Sequence, residues 1–426
     1  MAPLLQLYDS ASSGQHHAQS ERNISKETMG NKLLVTKIEK NGSPCIAAAL
    51  FEDKKLLEIS LEAVGKESIL GNIYVGRVKN IVKNLNAAFI EIAPKKPCYY
   101  SLEDVKEPLY TKKINSPRMV QGDEVVVQVV QESSKSKPPK VSTNLNLTGK
   151  YLVITSENRT FGISRKLDAE ERQRLREAIP FEAGGEFGLI VRTSAASAST
   201  EEILAEYRQL RQEYLSLKEK APHRTVFSCL KASLPEYLHA LRNINQELLE
   251  GILTDDRQLF EEMREYLAEC QPEDLEKLSL YEDPMLSLSS LYSLERRIQE
   301  ALQERVWMKS GGYLVIQPTE ALTVIDVNSG KSVAKKQAEE HHLKINLEAA
   351  QEIAHQLRLR NLSGIIIVDF IDMKSGSYQE MLMQALRNAV RTDSVPVQVV
   401  GMTRLNLVEI TRKKIKKPLA EQVKHL

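Results

Sequence analysis

A chain of 426 residues is too long for one ordinary hydrophobic core, so about two to four domains are expected. With 42% hydrophobic and 27% charged residues the balance is that of a soluble globular protein. A net charge of +1 excludes a uniformly basic nucleic-acid binder but not local basic stripes, because 58 basic and 57 acidic residues can segregate on the surface.

Cys45, Cys98, Cys229 and Cys270 are scattered singly, with no C-x-x-C pair and no histidine spacing for a zinc cage, so a reducing cytoplasmic location is expected. No apolar run approaches the ~20 residues that cross a bilayer, and "MAPLLQLYDSASSGQHHAQ" lacks the pattern of a signal peptide.

Residues 1–31 are rich in Ser, Gln, His and Asn and read as a disordered tail, with Met29 an alternative start of the folded unit. Two β-rich runs follow, "KLLVTKIEK" and "CIAAALFEDKKLLEISLE", joined at "NGSP" as in a hairpin. Short, evenly spaced strands come next in "GNIYVGRVKNIV", "AAFIEIA", "CYYSLE" and "DEVVVQVVQE", the pattern of a small barrel, closed by a basic Ser/Lys/Pro loop at "ESSKSKPPKVSTN". Beyond "YLVITSENRTFGISRKLD" the chain predicts a helix at "DAEERQRLREAI", a strand at "GLIVRT" and a long helix opened by Ser199 or Thr200 with glutamates following. Helical periodicity continues in "LPEYLHALRN", "DDRQLFEEMREYLAEC" and "SLERRIQEALQERVWM". The last block alternates strands "GGYLVIQ", "LTVIDVN", "GIIIVDFID" and "VPVQVVGMT" with helices "NLEAAQEIAHQLRLR" and "SYQEMLMQALRNAVR", which predicts a sheet covered by helices.

Chemistry concentrates in that block. "TVID" and "IIIVD" read as central strands buried on both faces, each with an aspartate near its carboxyl end. If the two strands are neighbours, Asp326 and Asp369 face one crevice at the edge where open α/β sheets place ligands. Paired carboxylates repel unless a cation lies between them, and an oxygen-only set suits Mg²⁺ or Mn²⁺. Such an ion activates water against a phosphodiester, and Asn328, on the same face as Asp326, can orient the phosphate or Asp369. The plainer alternative is that each aspartate caps a turn or a helix, which suits Asp372 ahead of "MKSGS". Lys331, Lys335 and Lys336 read as a phosphate-facing cluster or a solvated face, and "TRKKIKK" (411–417) as a nucleic-acid stripe or an exposed helix end.

"GGYLVIQPTEALTVIDVNSG", "INLEAAQEIAHQLRLRNLSGIIIVDFIDM" and "TRLNLVEITRKK" resemble the catalytic block of the ribonuclease E/G family. The resemblance runs back through "LTDD", "RVWMKSGGY", "GISRK" and "GLIVRT" to "GNIYVGRVKNIVKNLNAAFIEI", and so covers nearly everything from Lys32 onward. It implies a magnesium-dependent endoribonuclease that cuts single-stranded, often A/U-rich RNA to 5′-phosphate and 3′-hydroxyl ends in RNA processing and mRNA decay. Asp326 and Asp369 would hold the ion, and Asn328 would support that geometry. The implied architecture is multidomain α/β: an RNase H-like fold (32–67 and 236–303) interrupted by an S1 domain of the OB type (68–142) and a 5′-sensor (143–235), then a DNase I-like catalytic subdomain (304–426).

In the implied S1 domain, Phe89 matches a stacking phenylalanine, Tyr99 a second aromatic and Lys137 a basic contact; a core residue of the barrel is the alternative for Phe89. The implied sensor for a 5′-monophosphate comprises Arg192 and Thr193 of "GLIVRT" with Gly149 and Val153 of "TGKYLV". Family members commonly carry a Cys-Pro-x-Cys-x-Gly stretch after the catalytic block, through which paired subunits share zinc. No cysteine follows Cys270 here, so zinc is not expected and any homodimer would form without it. Two further readings stand beside the nuclease: an S1-type RNA-binding protein without cleavage, and a metal phosphohydrolase acting on DNA or small diesters.

Overall fold

The computed structural model describes residues 30–426 apart from 66–67, 104–106, 134–136, 183, 245–248 and 331–337. Residues 1–29 of the expected tail, and Lys331, Lys335 and Lys336, lie outside the described residues. Asn31, read with the tail, is almost fully buried and opens the first strand.

Among the described residues the strands form four sheets. The first runs in the order Leu278–Leu280, Leu249–Thr254, Asn31–Lys40, Ser43–Glu52, Lys55–Ala63. The last three form an antiparallel meander, and the first two join it in parallel. The expected hairpin at Asn41–Gly42 is present, but the second β-rich run is two strands rather than one. It reverses at Asp53, whose φ of 52° supplies the left-handed turn that a charged Glu-Asp-Lys-Lys run did not advertise. Alternation buries both faces of this sheet. Leu33, Val35 and Leu50 meet Tyr237, Leu241 and Met263 of the Glu236–Asn243 and Arg257–Cys270 helices, while Leu34, Ala49 and Phe51 meet Ile298 of the Leu294–Leu302 helix and Leu419 of the C-terminal helix Leu419–His425.

Between the first sheet's third and fourth strands in the chain lies a closed barrel. Ile73–Val82, Ala87–Ala93, Lys96–Ser101, Lys140–Ser142 and Glu124–Gln131 pair in that order, and the last returns to the first. Its interior is filled by Val78, Ile90, Ile92, Cys98, Tyr100, Val127 and Val129, the inward set that strand alternation selects. A four-stranded sheet follows, Asn146–Thr148, Leu152–Thr155, Gly188–Val191 and Phe161–Ile163, backed by the Thr200–Lys220 helix. That helix starts with the expected capping box, Ser199 and Glu202 each satisfying the other's backbone N–H.

The C-terminal sheet has the order Arg305–Trp307, Tyr313–Pro318, Leu322–Asn328, Gly364–Asp369, Leu407–Arg412, Val397–Met402. Leu322–Asn328 and Gly364–Asp369 are parallel neighbours joined by the Ala338–Leu359 helix, and every other pairing is antiparallel. Helical periodicity through "ERVWM" is overturned: the helix stops at Leu302, and Arg305–Trp307 is an edge strand. The basic run 411–417 is also not a helix end. Arg412 closes a strand with its guanidinium buried against Asp393 at 2.8 Å, while Lys416 pairs with Glu236 and Lys417 with Glu132, tying this region to the rest of the chain.

Candidate functional site

Helices Ala338–Leu359 and Gly376–Val390 pack against only one face of the C-terminal sheet, where Leu314, Ile316, Ile325, Val327, Ile366, Val368, Val408 and Ile410 form the core. The two aspartate-bearing strands are therefore buried on one face, not both. A period of two then sends Asp326 and Asp369 to the opposite, open face. The residues are register partners across the parallel pair, side by side on that face.

Asn328, two residues on, donates its side-chain amide to Asp326 Oδ2 at 2.8 Å and so fixes that carboxylate's rotamer. Partial burial, then the charges of Asp326 and Asp372, push the Asp369 carboxyl above its ordinary value. Asp372, read as a turn residue, thus contributes charge to the site. It accepts from Asn406 Nδ2 at 3.2 Å, and its carbonyl lies 3.2 Å from His342 Nδ1.

The segment that carries Asp372 is held by a residue that sequence reasoning missed. Asn346 is fully buried on the apolar side of its helix; its side chain donates to the Ile371 carbonyl at 2.8 Å and accepts from the Ile371 amide at 3.1 Å. Its signal was a lone amide in a helical apolar stripe. Glu339 and Gln379 hold the same loop at the Lys374 amide and the Met373 carbonyl. On the other side, "SGG" and "NSG" pack backbone to backbone. Gly330 has φ 72°, and a Cβ there would lie 2.1 Å from the Gly311 carbonyl oxygen, so only glycine closes the turn after Asn328.

On the barrel, Phe89 and Tyr99 are register partners with half-exposed rings 6.4 Å apart, edge to face. They alternate with the inward Ile90 and Cys98, so Phe89 lies on the outer surface and is not a core residue. Lys137 is exposed on the segment that leads to Pro139, whose carbonyl accepts from the Tyr99 amide at 2.8 Å.

In the four-stranded sheet, Arg192 donates from Nη1 to the carbonyls of Gly149 and Lys150 at 2.7 and 3.2 Å and from Nη2 to Asn243 Oδ1 at 2.8 Å. Burial, then neighbouring Arg242, lowers its pKa to about 10. Thr193 is exposed, its hydroxyl 2.9 Å from that of Ser164 in "GISRK". Val153 is half-exposed on the strand beside Gly188–Val191, which ends one residue before Arg192. Gly149 has a reason of its own to be glycine: a Cβ would meet the Glu206 carboxyl at 2.4 Å. Glu206 accepts from the backbone amides of Lys150, Tyr151 and Leu152, a second residue that the sequence did not single out.

Cys45 and Cys98 are buried, Cys229 is exposed and Cys270 is half-buried, all as free thiols. Among the described residues no group of three or more His, Cys, Asp or Glu could hold a metal ion, and no helix is long and apolar enough to cross a membrane.

Comparison with known proteins gives a consistent result. Residues 146–415 match the model of the ribonuclease E/G family. Ribonuclease G of Haemophilus influenzae is 36% identical over 388 residues, which cover 87% of this chain and 78% of that protein. Ribonuclease G of Escherichia coli K12 is 32% identical over 382 residues, covering 87% and 77%. Ribonuclease E of Haemophilus influenzae is 32% identical over 390 residues, which cover 89% of this chain but 42% of that longer protein. A family model that matches most of the chain, and relatives aligned over most of both lengths, lead to one conclusion: the chain belongs to the ribonuclease E/G family.

Proposed function

We propose that the protein is a divalent-cation-dependent endoribonuclease that hydrolyses single-stranded RNA, with Mg²⁺ as the ion, to leave 5′-phosphate and 3′-hydroxyl ends. The observation that carries the reading is the register pairing of Asp326 with Asp369 on the open sheet face, with Asn328 bonded to the first. The donor set fits a hard cation. Burial and the neighbouring charges of Asp326 and Asp372 raise the Asp369 pKa, a repulsion that a cation relieves, and a pair of acids leaves most of an octahedral shell to water and phosphate oxygens. The chemistry a bound cation supplies there is polarisation of the scissile phosphate and activation of water.

The protein's own part is positional. Asn328 holds Asp326 in one rotamer, and the loop clamped by Asn346 brings the charge of Asp372 to the same side. Asp369 must be ionised to act as a ligand. Water oxygen bonds to phosphorus, the bond from phosphorus to the 3′ oxygen breaks, and that oxygen leaves as the hydroxyl.

The same reading assigns the parts. The meander-plus-parallel order of the first sheet supports an RNase H-like unit over 32–67 and 236–303. The closed barrel supports an S1 domain over 68–142, in which Phe89, Tyr99 and Lys137 contact unpaired bases and backbone. Residues 143–235 act as a 5′-end sensor through Arg192, Thr193, Gly149 and Val153, and 304–426 form the DNase I-like catalytic subdomain.

The test is incubation of the full chain with a 5′-monophosphorylated oligoribonucleotide, with and without Mg²⁺. Cleavage that requires the ion and leaves new 5′-phosphates is expected. Binding without cleavage sinks the proposal in favour of an RNA-binding protein, and equal cleavage of DNA moves it to a general phosphohydrolase.

A further inference from the structure

Asp326 and Asp369 do not stand alone on the open face of the C-terminal sheet. Strand register sets out the side chains beside them. Arg305 pairs with Val315 and Val315 with Asp326; one step along, Trp307 pairs with Tyr313 and Tyr313 with Asn328. Direct partners share a face, and the alternate residues Val306 and Leu314 point into the core on the other side. Arg305, Trp307 and Tyr313 therefore lie on the same surface as the carboxylates, and Trp307 is about two strand spacings, roughly 10 Å, from Asn328.

These three residues form one unit. The Trp307 and Tyr313 ring centroids are 5.0 Å apart, and the Arg305 guanidinium lies over both rings, 4.5 Å from the Tyr313 centroid and 5.8 Å from that of Trp307. Despite these contacts Trp307 is 64% exposed, an unusual state for the largest apolar side chain on an edge strand. The cation beside it excludes a purely apolar occupant. A flat π-face with an adjacent guanidinium matches an unpaired base with its phosphate, as aromatic platforms with arginine do elsewhere on single strands.

We infer that Trp307, Tyr313 and Arg305 form a stacking platform for a nucleotide next to the scissile phosphate of single-stranded RNA, separate from the aromatic pair on the barrel. The inference rests on the proposed ribonuclease reading and adds a base-binding subsite to it. The occupant is RNA rather than another protein surface because the platform is continuous with the carboxylate pair along two register rows and carries the charge that a phosphodiester requires. Held there, a base restrains the strand on one side of the bond to be cut, which aligns the phosphate over Asp326 and Asp369.

Trp307 is the single tryptophan of the chain, so its emission reports the site directly. The experiment titrates the full chain carrying Asp369→Asn with a 5′-monophosphorylated, 3′-labelled oligoribonucleotide of about ten nucleotides, a length within single-strand site sizes. RNA binding is followed by anisotropy of the label and the platform by tryptophan emission. Quenching in step with anisotropy is expected, relieved when one position of the RNA is abasic. In the otherwise unaltered enzyme, Trp307→Ala should lower cleavage by about fivefold or more, the lower end of a base-aromatic stack. Trp307→Phe should restore most of it, with stimulation by the 5′-monophosphate unchanged in both.

A rise in anisotropy with constant emission, together with full activity of Trp307→Ala, overturns the platform and leaves the ribonuclease reading standing. Emission that follows protein concentration but not RNA overturns it in favour of a contact between copies of the chain. Failure of the unaltered enzyme both to bind and to cleave RNA defeats the ribonuclease reading, and the platform with it.

Discussion

Asn346 and Ile371 exchange two hydrogen bonds, the side-chain amide of one closing on the peptide C=O and N–H of the other at 2.8 and 3.1 Å. A buried helix residue thereby acts as a substitute strand for the chain that leaves Asp369. Replacing Asn346 with Leu keeps the branching of the side chain but leaves the partly buried N–H and C=O of Ile371 without this partner. A loss of about 1–3 kcal/mol in stability is expected, together with reduced cleavage even at temperatures where the variant is fully folded. Chemical denaturation and a single-turnover assay on the same preparation check both parts.

The carboxylate pair makes a prediction about pH and metal. Because burial and the charges of Asp326 and Asp372 raise the folded-state pKa of Asp369, its carboxyl protonates more readily in the fold than in the unfolded chain. Its contribution to stability is present at low pH and lost as pH rises through the folded pKa. Asp369→Asn should therefore be at least as stable as the unaltered protein at neutral pH without divalent ions. Adding Mg²⁺ should raise the melting temperature of the unaltered protein and not that of the variant. Cleavage should be abolished in both Asp326→Asn and Asp369→Asn, with RNA affinity by anisotropy largely retained. Loss of affinity would instead give these residues a structural role.

At the proposed sensor, Arg192 already donates to Gly149, Lys150 and Asn243, so its removal has two separable effects. Arg192→Ala should erase the preference for 5′-monophosphorylated over 5′-hydroxyl substrates and also lower stability by about 1–3 kcal/mol, as two carbonyls lose their donor. The ratio of rates on the two substrates isolates the first effect, since a global loss of stability lowers both rates together. An unchanged ratio would remove Arg192 from the sensor.

Phe89 is half-exposed and outside the barrel core, so Phe89→Ala should weaken RNA binding by about 1–3 kcal/mol while the melting temperature stays nearly constant. A titration and a melt on one sample decide it. A large drop in melting temperature would return Phe89 to a packing role.

The alternation of strand and helix from Tyr313 to Met402 was legible because each element carries a clean period, and the parallel neighbours Leu322–Asn328 and Gly364–Asp369 follow from the helix between them. That Asp326 and Asp369 lie side by side was legible for the same reason: an aspartate stands out in a β-branched run. Burial of those strands on both faces was misread because "IIIVD" contains apolar residues on its open face too, with Ile365 51% exposed. Trp307 was placed in a helix because helical periodicity ran on past Leu302, and a three-residue edge strand is too short to show a period of its own. The partners of Asn346 and Glu206 were illegible for a different reason. Each acts on backbone groups that are remote in sequence, at Ile371 and at Lys150–Leu152, and no local pattern marks such partners.

The first sheet has a consequence for synthesis. Its Asn31–Lys40 strand pairs on one side with Ser43–Glu52 and on the other with Leu249–Thr254, so one edge waits for a partner that is not yet made. At ~5–20 residues per second the interval is roughly 10 to 40 s, long compared with the folding of the barrel encoded between them. Through that period Leu33 and Val35 lack the helices that later cover them. The nascent protein therefore carries a finished barrel beside an adhesive half-sheet. Chaperone occupancy is expected to peak while that edge is open and to fall once residue 270 has cleared the ribosome.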